Sequence, residues 1–189
     1  MIGALKNIHD NVFNGLIKIT DGWFLGLFTR FVFASVLLIY FLNSAYLKVG
    51  SGFPGALLPT ANAYVQILSE SVFEAYSYNA DNVPFFFQGL IVYAGTYAEF
   101  ILPILVVVGL FTRLASLGML GFIGVMTYVD IAFHGADATA IGSFFDYLSN
   151  AAIADQRLLW TVPLIYLVLK GPGAISIDAL LGNFFKDKG

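Results

Sequence analysis

Residues 23–47 have the sequence WFLGLFTRFVFASVLLIYFLNSAYL, an apolar run with a single charged side chain, Arg30. A helix needs about 20 mostly apolar residues to cross a hydrocarbon layer of roughly 30 Å, because it rises about 1.5 Å per residue. The run meets this length and predicts a membrane-spanning helix. It starts too far from Met1 and is too long for a cleavable signal peptide, so we expect it to remain in the mature chain.

Three further apolar segments predict spanning helices, at about residues 85–111, 114–133 and 150–169. The last is strongly apolar only over 158–169, and it reaches a spanning length if the helix starts upstream and includes Asp155 and Arg157. The chain of 189 residues is 59% hydrophobic and 11% charged, whereas soluble domains have roughly 25% charged residues. Its mean hydropathy is +0.82. The predicted fold class is all-α, a polytopic membrane four-helix bundle formed by residues 1–189 as a single domain.

Shorter amphipathic segments are predicted outside the spans, at about residues 4–19, 60–77 and 176–186. In each of them, apolar residues recur at helical spacing with polar residues between them. This pattern is typical of helices that lie along a membrane surface. We expect these three interfacial helices to hold the bundle in the lipid bilayer, and Ser176 to cap the last of them.

The distribution of charge around the four spans predicts their orientation. The side with both termini has most of the basic residues, which are Lys6, Lys18, Arg30, Arg113, Lys170, Lys186 and Lys188. The opposite side has only Lys48 and Arg157 and is rich in acidic residues. Because basic residues favour the cytoplasmic side of a membrane, the N- and C-termini are predicted to be cytoplasmic.

Composition also limits the chemistry of the chain. A net charge of −3 and a pI near 5.1 leave no basic surface for binding nucleic acid. The chain has no cysteine, so iron–sulfur clusters and thiolate metal sites are not expected. The two histidines, His9 and His134, are predicted on opposite sides of the membrane, so a haem held by both within one chain is not expected either.

Ionisable residues within the spans are candidates for function, because each costs a few kcal/mol in the membrane unless it is paired or hydrated. Glu99 lies deepest, about 14 residues into its span, and Pro103 is expected to loosen the helix there. Asp130 and Arg157 form a geometrically reasonable pair, and Glu99 could pair with either Arg30 or Arg157. The alternative for each pair is a structural contact that holds the helices in register.

These residues suggest a site for a quinone or quinol, whose headgroup needs a hydrogen-bond donor, a proton acceptor and an aromatic or apolar slot. The candidate catalytic residues are Glu99, Arg30, Asp130 and Arg157. The candidate cofactor-binding residues are Tyr93, Tyr97, Tyr128, His134 and Trp160. Asp130 and His134 share a helix face and could relay a proton. Two ligands make a weak metal site, so no metal is expected.

Three groups of residues, in order along the chain, resemble the DoxX family of small four-helix membrane proteins. The groups are Arg30 with Lys48-Val49-Gly50, then Glu99-Phe100-Ile101-Leu102-Pro103 with Leu105, Gly109-Leu110 and Thr112-Arg113, and finally Gly171-Pro172-Gly173-Ala174-Ile175-Ser176-Ile177-Asp178. The resemblance covers most of the chain from the first span onwards. It implies a four-helix bundle in a bacterial inner membrane, associated with redox systems of the thiosulfate:quinone oxidoreductase or quinol oxidase type, or with responses to oxidative or metal stress.

Three functions follow as hypotheses. The first is a quinone-linked subunit of a membrane redox system that works with other redox subunits or as a homo-oligomer, because the chain has no evident electron carrier of its own. The second is a non-catalytic membrane anchor or accessory subunit of a respiratory or stress-response complex. The third is a small transporter or channel, which the lack of an inverted repeat disfavours. Whether the chain is itself an enzyme stays open at this point.

Overall fold

The structure is a computed structural model that describes residues 2–186. These residues form helices joined by turns, and none of them belongs to a β-strand. In chain order the helices are α1 (Ile2–Thr20), α2 (Phe24–Tyr46), α3 (Ala61–Ile67), α4 (Glu70–Glu74), α5 (Phe85–Val108), α6 (Thr112–Ala132), α7 (Ala138–Ile141), α8 (Ala152–Lys170) and α9 (Ile177–Lys186).

Four of the helices, α2, α5, α6 and α8, are long and apolar enough to cross a membrane. They correspond to the four predicted spans, which are thereby confirmed as helices of spanning length. The upstream start expected for the last span is also confirmed, because α8 begins at Ala152 and includes Asp155 and Arg157. The four spans indicate a membrane protein, and the many large apolar side chains exposed on their outer faces are compatible with contact to lipid.

Each spanning helix packs against two others. Helix α2 contacts α5 and α8, and α6 contacts the same two helices from the other side. The core between them consists of Phe33, Leu37, Phe41, Val106, Ala115, Met119, Ile123, Leu164 and Leu167. Close packing of such side chains holds helices together where no water is present to drive association.

The spanning helices contain local irregularities. A π turn occurs within α2 at Ala34–Leu38, and another opens α8 at Ala152–Arg157. The first turn of α5 is distorted at Phe86 and Phe87, so its regular part starts at Leu90. A π turn inserts an extra residue into one turn of helix and thereby shifts the direction of the side chains that follow.

The two ends of the molecule differ in what they contain. We call the end that holds α1, α9 and the α5–α6 connection the terminal end, and the end formed by residues 47–84 and 133–151 the loop end. Helices α1 and α9 coincide with two predicted interfacial segments, and apolar side chains such as Leu5, Ile8 and Leu180 are exposed on them. Ser176 caps α9 as predicted, since its Oγ accepts a hydrogen bond of 3.1 Å from the Ala179 N–H.

The prediction of one interfacial helix over residues 60–77 is wrong, because the structure divides this segment into α3 and α4. The division lies at Leu68, which is extended, and at Ser69, whose hydroxyl caps α4 by accepting from the Val72 N–H. The two helices fold around a small core of their own, in which Tyr64 stacks on Phe73. Burial raises the pKa of the Tyr64 hydroxyl, so it stays neutral as a core side chain should.

Candidate functional site

The predicted site residue Arg30 lies at the terminal end and binds backbone there. Its side chain is 6% exposed, and its Nη1 donates a hydrogen bond of 2.8 Å to the Val107 carbonyl. Its Nη2 donates to the Ile175 carbonyl. The guanidinium thus joins the end of α5 to the segment before α9. The expectation that Glu99 could pair with Arg30 is wrong, because this packing commits the guanidinium to two backbone carbonyls at the terminal end.

Other residues of the terminal end also hold helices and connecting segments together. The Asp178 carboxylate accepts hydrogen bonds from the Phe111 and Thr112 N–H groups, at 2.7 and 2.9 Å, and from the Thr112 hydroxyl. It therefore satisfies backbone donors that the start of α6 would otherwise leave free. Gly26 touches the backbone of Pro172, where a Cβ would lie 2.3 Å from the carbonyl oxygen. Arg30, Thr112, Pro172 and Asp178 thus connect the helices at this end.

At the loop end a lysine and a glutamate form a buried ion pair. The Lys48 Nζ lies 2.8 Å from Glu99 Oε2 and 3.0 Å from Oε1, and the two side chains are only 4% and 6% exposed. The ammonium also donates to the Ser44 hydroxyl at 2.7 Å. Two charges can be buried at this depth only because each neutralises the other and their hydrogen bonds are made. Lys48, and neither of the two predicted arginines, is the partner of Glu99.

A second ion pair joins α6 to α8. Arg157 donates from Nη2 to Asp130 Oδ2, and its Nη1 donates a hydrogen bond of 2.8 Å to the Thr127 hydroxyl. Arg157 is buried, whereas Asp130 is one-third exposed. The structure therefore confirms the Asp130–Arg157 pair that the sequence predicted as one of its alternatives.

A cavity of about 710 Å³ lies between α5 and α6, with α2 behind it and α3 at its loop end. This volume is in the range of about 300–1,000 Å³ typical of small-molecule sites. The cavity exists because α5 and α6 present small residues to it, which are Ala94, Gly95, Ala98 and Gly118. Ile91 and Val125 line it and are also largely exposed, so it opens on the apolar outer face of the helices.

The inner end of the cavity is polar. The Lys48–Glu99 pair and Ser44 line it, and so do Tyr40 and Asp130. The Tyr40 ring packs on Phe41 and Trp160, which places its hydroxyl-bearing side chain on the wall of the cavity. The cavity thus leads from a lipid-compatible mouth to a cluster of charged and hydroxyl groups, an arrangement that suits a molecule with an apolar body and a polar head.

The loop end of the cavity is closed by α3. His134 lines the cavity there, and its Nε2 lies 3.0 Å from the Gln66 carbonyl oxygen. Since a carbonyl oxygen only accepts hydrogen bonds, Nε2 is the donor in this contact. Ile67 approaches Gly95 on α5, where a Cβ would lie 3.1 Å from the Ile67 Cδ1. These contacts hold α3 against the spanning helices.

Three of the nine predicted site residues line the cavity, namely Glu99, Asp130 and His134. Arg157 acts on it through Asp130. The remaining five lie elsewhere, and Arg30 is the one at the terminal end. Tyr93 packs on Phe85 and Tyr97, and the Tyr97 hydroxyl donates to the Leu57 carbonyl. Tyr128 is exposed beside Phe133, and Trp160 packs on Tyr40 and Phe41.

Sequence reasoning missed three residues of the first span that face the cavity. Tyr40, Ser44 and Lys48 follow one another at intervals of four residues, so they form a polar stripe along one helix face. That stripe was a usable signal in an otherwise apolar segment. The sequence places Lys48 in the family resemblance and among the charges of the loop side, but not among the predicted partners of Glu99, because it lies just beyond the apolar run.

Among residues 2–186, no group of three histidine, aspartate or glutamate side chains is placed to share a metal ion. His9 lies on the exposed α1 at the terminal end, and His134 lies at the loop end.

Comparison of the chain with protein-family models, with curated proteins and with solved structures finds no significant match. The resemblance to the DoxX family therefore stays a prediction based on the residues quoted above.

Proposed function

We propose that this chain is a subunit of a membrane redox system and binds a quinone or quinol in the cavity between α5 and α6. The observation that carries the proposal is that this cavity joins a mouth on the apolar face to the buried Lys48–Glu99 pair. A quinone has an aromatic headgroup with two oxygens and a long apolar tail, so it matches both parts of the cavity.

The residues of the cavity can bind the headgroup and handle its protons. A quinone takes up two electrons and two protons when it is reduced, and a quinol releases them. Glu99 can hold a proton on its carboxylate at the inner end, with Lys48 and Ser44 orienting that carboxylate. Asp130 and His134 line the same cavity, so they offer further proton acceptors, and His134 lies at its loop end beside Gln66.

The setting of the subunit is part of the proposal. The chain forms a four-helix bundle in a bacterial inner membrane, resembling the DoxX family, with both termini in the cytoplasm and the loop end outside. The basic residues concentrated near the termini support this orientation. The chain has no cysteine and offers no evident electron carrier, so another redox subunit supplies or removes the electrons.

Gentle purification from the native membrane, followed by mass spectrometry of bound lipids and proteins, tests the proposal. We expect a quinone or quinol at close to one per chain, lost in Lys48→Met with Glu99→Gln, which removes both buried charges together, and retained in Glu74→Gln, a change at an exposed position of α4. Protein that retains neither form and binds no added short-chain quinone or quinol would contradict the proposal.

A non-catalytic accessory subunit is the second candidate. Much of the family resemblance rests on four residues that lie at the terminal end, away from the cavity: Arg30, Gly109, Pro172 and Asp178. Their position favours this candidate. In that case the double change Lys48→Met with Glu99→Gln, which leaves no lone buried charge, leaves the function of the complex intact, whereas reversal of charge in the loop-end helices, as in Glu70→Lys, abolishes it. The two variants together separate the candidates.

A further inference from the structure

We propose that the cavity selects the reduced form of its ligand, a quinol with two hydroxyl groups, over the oxidised quinone. This inference rests on the proposed function and adds which redox form the polar end recognises. It follows from counting the hydrogen-bond donors and acceptors that remain available to a ligand.

The ammonium of Lys48 has no hydrogen left for a ligand. Its three hydrogens are directed at the Ser44 hydroxyl at 2.7 Å, at the Ser44 carbonyl at 3.3 Å and at the two oxygens of Glu99 at 2.8 and 3.0 Å. Lys48 is also only 3% exposed. The one cation that lines the cavity in the described part of the chain is therefore fully occupied.

The carboxylate of Glu99 still has acceptor capacity. An ionised carboxylate has about four lone-pair positions on its two oxygens. Lys48 takes one position on each oxygen, and the Ser44 hydroxyl lies 3.4 Å from Oε1. At least one position remains, and Glu99 lines the cavity. A ligand that reaches it must bring a hydrogen.

The other polar groups at the cavity also offer hydrogen-bond acceptors to a ligand. Asp130 accepts a hydrogen bond from Arg157 on Oδ2 and has further lone pairs, and the donor, Arg157, does not line the cavity. His134 donates through Nε2 to the Gln66 carbonyl, which leaves Nδ1 as an acceptor in the neutral ring. The Tyr40 hydroxyl and the Gln66 side-chain amide can both donate and accept, so they suit either form of the ligand.

A quinone headgroup brings only carbonyl oxygens, whereas a quinol brings two hydroxyl hydrogens. A quinone carbonyl that meets the carboxylate oxygens of Glu99 or Asp130 would find no hydrogen there, and both partners would stay unpaired, whereas a quinol hydroxyl can donate to them. A buried acceptor left without a donor costs on the order of 1–3 kcal/mol. We therefore expect the quinol to bind at least about tenfold more tightly than the quinone of the same ring and tail.

Equilibrium dialysis of the purified full chain in nanodiscs tests the selectivity. The probes are a short-chain quinol kept reduced under anaerobic conditions, the matching quinone, and the quinol dimethyl ether, which keeps the ring but has no hydroxyl hydrogen. Support consists of tight binding by the quinol, with the quinone and the ether both weaker by about tenfold or more. The ether separates the effect of the hydroxyl hydrogens from the effect of ring shape.

Equal or tighter binding of the quinone would overturn the selectivity and leave the proposed function standing. Failure of all three probes to bind would overturn both. A variant check uses Lys48→Met with Glu99→Gln, a double change that removes both charges together, so that neither is left buried alone. We expect it to reduce the preference for quinol to less than threefold, and an unchanged preference would overturn the assignment to Glu99.

Discussion

Arg30 and Lys48 are both buried cations of the first membrane-spanning segment, one near each end, but their surroundings differ. Arg30 donates to two backbone carbonyls and thereby connects the end of α5 to the segment before α9. Lys48 pairs with the side chain of Glu99 at the inner end of an open cavity. Burial of a charge is therefore a poor sign of function by itself. The informative feature is whether the charged group faces space that another molecule can enter.

Among the changes that test this comparison, Lys48→Met is expected to have the largest effect on the stability of the protein. The change leaves the Glu99 carboxylate buried without its partner, which should destabilise the protein by about 3–5 kcal/mol. Unfolding in detergent, followed by circular dichroism, measures the loss. Addition of Glu99→Gln should restore much of the stability, because no lone charge then remains. A single variant as stable as the native chain would show that the pair is not buried as described.

A smaller loss is expected from Gly26→Ala at the terminal end. The new Cβ would lie 2.3 Å from the Pro172 carbonyl oxygen, so the 171–173 turn must move. We expect a destabilisation of about 1–3 kcal/mol with unchanged ligand affinity, since the cavity is at the other end. Gly121→Ala is the matched control, because nothing lies within 4 Å of its added Cβ. Loss of ligand binding in Gly26→Ala at full stability would remove the distinction between the two ends.

The smallest effect on stability, and a specific effect on binding, is expected from Gly118→Leu. Gly118 lines the cavity, so a leucine there occupies space that the ligand needs. Its Cβ would lie 3.2 Å from the Leu102 Cδ2, the end of a flexible side chain that also lines the cavity and can shift into it by a few tenths of an ångström. Affinity for a short-chain quinol should fall by at least about tenfold, while the unfolding temperature changes little. Gly124→Leu, at a position with open space around the added Cβ, serves as the control. Undiminished binding by the Gly118 variant would place the ligand outside this cavity.

The residues predicted for the site differ in how far the sequence could place them. The Asp130–Arg157 pair was among the predicted pairs, because both residues lie near the same end of neighbouring spans. Both alternatives for the partner of Glu99, Arg30 and Arg157, were wrong, because Lys48 lies just beyond the apolar run and was not considered as a partner. Of the aromatic residues predicted to line a slot, Tyr93, Tyr97 and Trp160 pack on protein instead.

Segment length and hydropathy were sufficient for the number and limits of the spanning helices. A helix must satisfy its own backbone in lipid, so an apolar run of the right length has few alternatives. The same reasoning could not divide residues 60–77 into α3 and α4, because that break depends on the local cap at Ser69 and on a separate small core.

The rotation of each helix about its axis depends on packing between helices, which hydropathy does not report. That rotation turns the Tyr40, Ser44 and Lys48 stripe towards Glu99, and it turns Tyr128 outward. The cavity itself results from small residues on two helices that are adjacent only after folding. The sequence therefore accounts for the four apolar helices and for a costly charge within the second of them. The partner of that charge and the space it faces arise from contacts between residues far apart in the chain.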